Sequence, residues 1–262
     1  MKFTKLIFVA GALFAAVIAG GCAKGQGGVS GLDAIKKAGA LKVGVKSDVP
    51  GFGFYDTATN KYEGLEISLA QMLANEIFGD ADKVKFEAVT AKTRGPLLDN
   101  GELDMVIATF TITDERKLTY NFSTPYYTDA VGMLVKKSSG IRSLADLNGL
   151  TVGVAQSATS KEAISAAAAE LGITLNFAEF ATYPEIKAAL DSGRVEVFSV
   201  DKSILNGYLD ADTIILPDQF SPQPYGVATK LSNKQLADYV DVLIKKWLND
   251  GTISALISQF NL

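Results

Sequence analysis

Along nearly the whole chain, short runs of β-branched and apolar residues alternate with segments whose apolar residues recur at helical spacing. The runs expected as strands are Leu41–Val45, Val84–Val89, Met105–Thr109, Val131–Lys136, Thr151–Val154, Asn176–Phe180, Val195–Val200 and Tyr225–Thr229. Between them, Leu65, Leu69, Met72, Leu73 and Ile77 share one helical face, as do Ile164, Ala167, Ala168 and Leu171. Ile186, Ala189 and Leu190 form a third face, and Val240, Leu243, Ile244, Trp247 and Leu248 a fourth. A helix between two strands carries the chain back over the sheet, so the next strand runs parallel to the last. The alternation therefore implies an α/β fold with largely parallel sheets. With 262 residues, 48% of them hydrophobic, the chain is long enough to bury a substantial core.

Two breaks in the pattern suggest two lobes. Lys136–Arg142 (KKSSGIR) is polar and holds Gly and Ser between two apolar strands, as a crossing between lobes would. Two prolines near Pro222–Tyr225 mark a return crossing. The expected division is residues 31–135 plus 227–262 for lobe one and 136–226 for lobe two. A cleft between hinged lobes is a common site for a small molecule.

Composition excludes several kinds of chemistry. There is no histidine, so a Ser-His-Asp triad, a histidine base and a histidine metal ligand are all excluded. The lone cysteine, Cys22, permits neither an intrachain disulfide nor a Cys-rich zinc site. The 25 basic and 29 acidic residues give a net charge of −4, which does not suit a nucleic-acid binder. No phosphate-binding glycine loop, metal-ligand spacing or calcium loop is found, so no cofactor or metal is expected. The N-terminus reads as an export signal over residues 1–21: Lys2 and Lys5, then the uncharged run Leu6–Gly21, shorter than a bilayer-spanning helix. Ala19-Gly20-Gly21-Cys22 resembles a bacterial lipobox, which implies cleavage before Cys22 and lipid on its thiol; the alternative is an ordinary secretory signal. Ala23–Ser30 is Gly-rich and reads as a tether.

Polar groups concentrate at four strand ends. In Ala108–Arg116 a buried strand runs into alternating threonines, Thr109 and Thr111, and then into a helical turn bearing Arg116. A guanidinium there suits a carboxylate in bidentate geometry; the alternative is a capped helix with a surface ion pair. Gln156–Glu162 opens a helix, with Thr159 and Glu162 at capping-box spacing; Ser157 and the free N–H groups of that turn could receive an anion, or the turn could be only a well-capped helix. Asp201 follows an apolar strand and could cap the next helix or accept an ammonium group. Arg94 precedes Gly95-Pro96 at the start of a short helix and could be a surface residue. Lys46, Asp48, Phe52 and Phe54 lie in a Gly/Pro loop whose aromatics could wall a cleft or edge the core.

Seven strings, in order, carry a resemblance over essentially all of the chain beyond the signal: LKVGVKSDVPGFGF, YEGLEISLAQMLA, RGPLLDNGELDMVIATFTITDERK, NFSTPYY, SLADLNGLTVGVAQSATSKEAI, RVEVFSVDKSIL and PYGVATK. Together they resemble the solute-binding proteins of polar amino-acid ABC importers, and KTRGPLLDNG, IATFTITDER and FSVDKSIL resemble the aspartate/glutamate-binding members most. The resemblance implies the type II periplasmic-binding-protein fold and an exported, monomeric protein, lipid-anchored to the cell membrane or periplasmic, that delivers an amino acid to a membrane permease. It further implies a clamp for a zwitterion. Arg116 would hold the α-carboxylate, helped by Thr111 and by the turn at Ser157 and Thr159. The Thr109 carbonyl and the Asp201 carboxylate would meet the ammonium. Arg94, with Lys46, would meet a side-chain carboxylate; Phe52 and Tyr225 would lie beside the ligand. Where the family often has an aromatic-Pro-Pro-Phe string, this chain has Val49-Pro50-Gly51-Phe52. Two alternatives share the fold: a cyclohexadienyl dehydratase acting on prephenate or arogenate, and a binder of a neutral amino acid such as glutamine or cysteine.

Overall fold

A computed structural model describes residues 31–262; the expected signal peptide, Cys22 and the tether lie outside the described residues. Helix α1 (Gly31–Ala38) leads into β1 (Leu41–Val45). A small antiparallel ribbon follows, β2 (Asp48–Val49), β3 (Gly53–Asp56) and β4 (Lys61–Glu63). Next come α2 (Leu65–Phe78), β5 (Val84–Ala88), α3 (Arg94–Asp99), β6 (Met105–Ile107), α4 (Asp114–Lys117) and β7 (Tyr120–Phe122). The second part holds β8 (Tyr127–Lys136), β9 (Thr151–Ala155), α5 (Ser160–Glu170), β10 (Asn176–Phe180), α6 (Tyr183–Asp191), β11 (Val197–Asp201), α7 (Lys202–Asn206), β12 (Thr213–Ile215) and β13 (Phe220–Tyr225). The chain then returns through β14 (Ala228–Lys230), α8 (Lys234–Asn249) and α9 (Thr252–Gln259).

Each of two lobes is built on one sheet. The first has strand order β5-β1-β6-β14-β7; the second has β10-β9-β11-β8-β12, with β13 also paired to β8. Strands linked by helices are parallel as expected: β1 with β5 and β6, and β9 with β10 and β11. The remaining pairings are antiparallel, so the sheets are mixed rather than largely parallel. The reason is the route of the chain. β8 and β14 enter their sheets directly from the other lobe, with no helix to reverse them.

The chain passes from the first sheet to the second between Phe122 and Tyr127, not at Lys136–Arg142. The apolar run ending at Lys136 already belongs to the second sheet, where Val135 lies opposite Val197. Lys137–Ser139 is a 3-10 turn after it. The return lies at Gly226–Val227 and splits the strand expected over Tyr225–Thr229. A Cβ on Gly226 would sit 2.8 Å from Ile112 Cδ1 and 3.2 Å from the Ser123 carbonyl oxygen, so the two passages press against each other there. They are also hydrogen-bonded: Ser123 N–H donates to the Val227 carbonyl at 3.0 Å, Val227 N–H to Ser123 Oγ at 3.0 Å, and Tyr126 N–H to the Tyr225 carbonyl at 3.0 Å.

The helical faces bury as their periodicity requires. Leu65, Leu69, Leu73 and Ile77 of α2 are buried, as are Val240, Leu243, Ile244 and Trp247 of α8 and Ile186, Ala189 and Leu190 of α6. On α5, Ile164 and Ala168 are buried, but Leu171 stands at the C-cap and is exposed. The core meets the two passages through Phe52, whose ring is edge-on to Tyr127 at 5.1 Å and to Tyr225 at 5.7 Å.

Gly64, just ahead of α2, has φ 125°, and a Cβ there would lie 2.2 Å from the Phe52 carbonyl oxygen. Left-handed strain alone costs about 1–2 kcal/mol, and the backbone overlap adds to it. Gly64→Ala is therefore expected to destabilise the protein by at least about 2 kcal/mol, a fall in melting temperature of roughly 4–8 °C for a chain of this size. Thermal unfolding followed by circular dichroism checks this.

Candidate functional site

The site is assembled at the C-terminal ends of β1, β6 and β11 and beside the two passages. After β6, Thr109 takes φ 44°, a turn that non-glycine residues rarely adopt. Its N–H donates to Glu66 Oε1 at 2.6 Å. Thr113 caps α4, its Oγ1 accepting the Arg116 N–H at 3.1 Å. This cap swings the Arg116 side chain back over the loop. Nη1 donates to the Thr111 carbonyl at 2.8 Å and Nη2 to the Ser157 carbonyl of the second lobe at 3.1 Å. Arg94, the first residue of α3, is not a surface residue: it is buried, and its Nη1 donates to the carbonyls of Ala108 at 2.6 Å and Thr109 at 3.1 Å. Both guanidinium groups lie over the Phe110 ring, at 4.1 Å for Arg94 and 4.9 Å for Arg116. Arg94 Nε is buried with no hydrogen-bond partner.

From the second lobe, β11 ends on Asp201, which occupies the N-cap position of α7 without a side-chain cap bond. Its Oδ2 instead accepts the hydroxyl of Tyr225, a fully buried ring stacked on Tyr127 at 5.9 Å. Thr159 does not form the expected capping box with Glu162. Its backbone is already helical, and its hydroxyl donates to Gln223 Oε1 at 2.7 Å. Ser157 stands two residues earlier, at φ 62°. Thr111 is buried and bridges Tyr225 across the gap between sheets.

Lys46, at the end of β1, is buried, paired with Asp48 at 2.9 Å, and lies 4.5 Å from the centroid of the Tyr183 ring. Phe52 is also buried, within the aromatic junction between Tyr127 and Tyr225. The fold thus gathers Lys46, Phe52, Arg94, Thr109, Thr111, Arg116, Asp201 and Tyr225 around one place, with Ser157 and Thr159 at its rim. Among the described residues, no group of three or more His, Cys, Asp or Glu is placed to hold a metal ion.

A model of the bacterial extracellular solute-binding proteins, family 3, matches residues 41–262. The chain belongs to this family. The glutamine-binding protein of Geobacillus stearothermophilus is 40% identical over 210 residues, 79% of each chain. The ABC transporter glutamine-binding protein GlnH of Bacillus subtilis (strain 168) is 35% identical over 259 residues, 95% of this chain and 93% of its own. Among solved structures, the ancestral amino acid-binding protein AncCDT-1, a precursor of cyclohexadienyl dehydratase, superposes with a TM-score of 0.78 at 32% identity, covering 88% of this chain and 99% of that one. These relationships agree with the two-lobed type II fold described above.

Several residues gathered around the same place were not singled out in the sequence. Glu66 sits in the first turn of α2, fully buried, and takes hydrogen bonds from Thr109 N–H and, at 2.5 Å, from the Tyr126 hydroxyl. Tyr183 is buried beside Lys46, and Asp129 accepts the Ser203 N–H at 2.9 Å. Glu66 follows Gly64 in a glycine-then-helix entry, and an acid at the second helical position was a legible dipole partner. Nothing local marked it as buried.

Burial pushes the Asp201 carboxyl up to about 7, opposed by the Tyr225 hydroxyl bond and raised further by Asp129. Burial also pushes Glu66 up to about 7, against the Tyr126 and Thr109 hydrogen bonds. Burial lowers Lys46 and Arg94 from their ordinary values, and burial followed by the charge of Arg94 lowers Arg116. Between about pH 4 and pH 7 the folded protein holds protons on Asp201 and Glu66 that the unfolded chain has released. Their contribution to stability is thus present at low pH and lost as pH rises toward 7 and beyond. The ligand-free protein is expected to show this downward slope in melting temperature between pH 5 and 8, and Asp201→Asn is expected to flatten it; an unchanged slope would mean that Asp201 does not carry it.

Proposed function

We propose that this solute-binding protein of an amino-acid ABC importer takes an acidic amino acid, L-aspartate or L-glutamate, by closure of its two lobes. One observation carries the reading. Among the described residues, neither Arg94 nor Arg116 is paired with a protein carboxylate; their hydrogen bonds go to backbone carbonyls. Two guanidinium groups without protein counter-ions suit a ligand with two carboxylates. In this reading Arg116, Thr111 and the turn at Ser157 and Thr159 take the α-carboxylate. Asp201 and the Thr109 carbonyl take the ammonium, and Arg94 with Lys46 takes the side-chain carboxylate. Phe52 and Tyr225 wall the site. Lobe one comprises 31–122 with 228–262, lobe two 127–225, and the hinge is the pair of passages between them.

A second reading is L-glutamine, favoured by the names of the Geobacillus and Bacillus relatives. An amide would leave Arg94 with no anionic partner, which would weaken its binding relative to an acid. A dehydratase has less support: the structural neighbour related to that enzyme is itself described as an amino acid-binding precursor. The lipid on Cys22 and the monomeric state are parts of the same proposal. The anchor is tested by labelling cells with a fatty-acid analogue, and loss of label in Cys22→Ser is expected.

A thermal-shift panel of the common L-amino acids with prephenate and arogenate separates these readings. A ligand at 1,000 times its Kd adds about 4 kcal/mol, or a rise of roughly 8–16 °C here. Aspartate or glutamate is expected to give that rise. A rise with glutamine alone would overturn the acidic reading. Arg94→Ala is expected to lose about 2–4 kcal/mol of affinity for acidic ligands, roughly 30- to 1,000-fold, and no more than about fivefold for any neutral amino acid that binds. Arg116→Ala is expected to lose all of them; calorimetry measures both.

A further inference from the structure

Glu66 is a buried acid beside the candidate site, and its side chain bonds the backbone of Thr109 and the hydroxyl of Tyr126. It is fully buried, and it makes no ion pair among those found in the described residues. Burying a carboxyl in this way opposes folding unless its hydrogen bonds compensate. Those bonds are concentrated on one oxygen. Oε1 accepts the Thr109 N–H at 2.6 Å and the Tyr126 hydroxyl at 2.5 Å, while Oε2 is buried with no partner. The carboxyl is also rigidly carried: Glu66 N–H donates to the Phe52 carbonyl at 2.9 Å, and the residue stands in the first turn of α2, where the helix dipole favours negative charge.

The two donors belong to different parts of the machine. Thr109 holds φ 44°, a conformation that costs a threonine energy and needs outside support. Its own carbonyl accepts Arg94 Nη1 at 3.1 Å, so the orientation of the Thr109 peptide and of the Arg94 guanidinium are linked. Tyr126 is the last residue of the first passage between lobes, and its N–H holds the Tyr225 carbonyl at the second. Tyr225 in turn donates to Asp201. One carboxyl oxygen thus joins the ligand loop of lobe one to the hinge.

We propose that Glu66 is a positioning residue for ligand capture: by accepting from both Thr109 and Tyr126, it holds the Thr109 peptide and Arg94 in their binding orientation and registers them against the hinge. This rests on the reading that Thr109 and Arg94 face the ligand, but not on which amino acid the ligand is.

Glu66→Gln keeps an acceptor oxygen in place, whereas Glu66→Met is of similar length and cannot accept. Calorimetry with L-aspartate, L-glutamate and L-glutamine identifies which of them the parent protein binds, and the Kd for that ligand is then compared among variants. The expected result is a Kd within threefold of the parent for Gln, and at least tenfold weaker for Met at a temperature where both are fully folded. In amide proton–nitrogen spectra of the ligand-free protein, the Thr109 resonance of the parent is expected far downfield, as a short bond to a carboxyl requires, and shifted upfield in Met. A smaller loss for Met, or an equal loss for Gln and Met, overturns the proposal, as does a Thr109 resonance that Met leaves unmoved. Should Met fail to fold, Glu66→Asp, which withdraws the oxygen by one methylene, takes its place under the same criteria. A parent that binds only glutamine would sink the acidic reading and leave this comparison intact.

Discussion

A guanidinium inside a protein without a counter-ion is costly, and the site of this binding protein is organised around one. Arg94 is buried, and its charge is met by two backbone carbonyls and by the face of Phe110 rather than by a carboxylate. Carbonyl dipoles and a ring quadrupole offset part of the desolvation cost, but not as an anion would. The residues around it follow from that constraint. The loop after β6 turns through a left-handed Thr109 so that consecutive carbonyls, those of Ala108 and Thr109, face one donor group. Arg116 shares the same ring, and the proximity of two positive charges is part of why its proton is held less tightly.

The hinge places the second lobe against this charge. Its two strands of chain are tied by Ser123 and Val227, so the lobes are joined by a short hydrogen-bonded pair rather than by loose linkers. Tyr225 and Tyr126 flank that pair and reach in opposite senses, Tyr225 to Asp201 of the second lobe and Tyr126 to Glu66 of the first. Among the described residues, only Arg116 Nη2, on the Ser157 carbonyl, bonds directly from one arginine to the opposite lobe. Binding energy can favour the closed arrangement only through groups that bond the ligand from both sides, because a ligand shifts an equilibrium by its differential affinity.

Much of the fold was legible because hydrophobic period survives burial. The α2, α6 and α8 faces are buried as their spacing demands, and the parallel strands β1, β5, β6, β9, β10 and β11 all overlap runs expected as strands. What was not legible depends on contacts distant in sequence. β2, β4, β7 and β12 are two or three residues long and carry no period. The first crossing was misplaced because an apolar strand looks alike whichever sheet receives it. The polar segments at strand ends included Arg94, Arg116, Thr109 and Asp201, which the structure brings together, whereas Glu66 and Tyr183 were not singled out because only the tertiary fold brings them to the same place. The capping-box spacing at Thr159 misled for the same reason: Gln223, far along the chain, takes the hydroxyl.

The charge balance of the site also bears on which ligands it can hold closed. Lys46 is matched by Asp48. That leaves two guanidinium groups against Asp201 and Glu66, both of which burial pushes up to about 7 and so holds partly protonated near neutral pH. Asp129, which burial also pushes up, is a third acid close enough to act on Asp201. In the proposed clamp, the ammonium of any amino acid draws Asp201 toward its ionised form against the cost of burial. A ligand of net charge −1 adds a side-chain carboxylate that an amide lacks. The proposed preference for an acid over an amide thus rests on the whole set of buried charges, not on Arg94 alone, and closure of the lobes would strengthen it by lowering the effective dielectric.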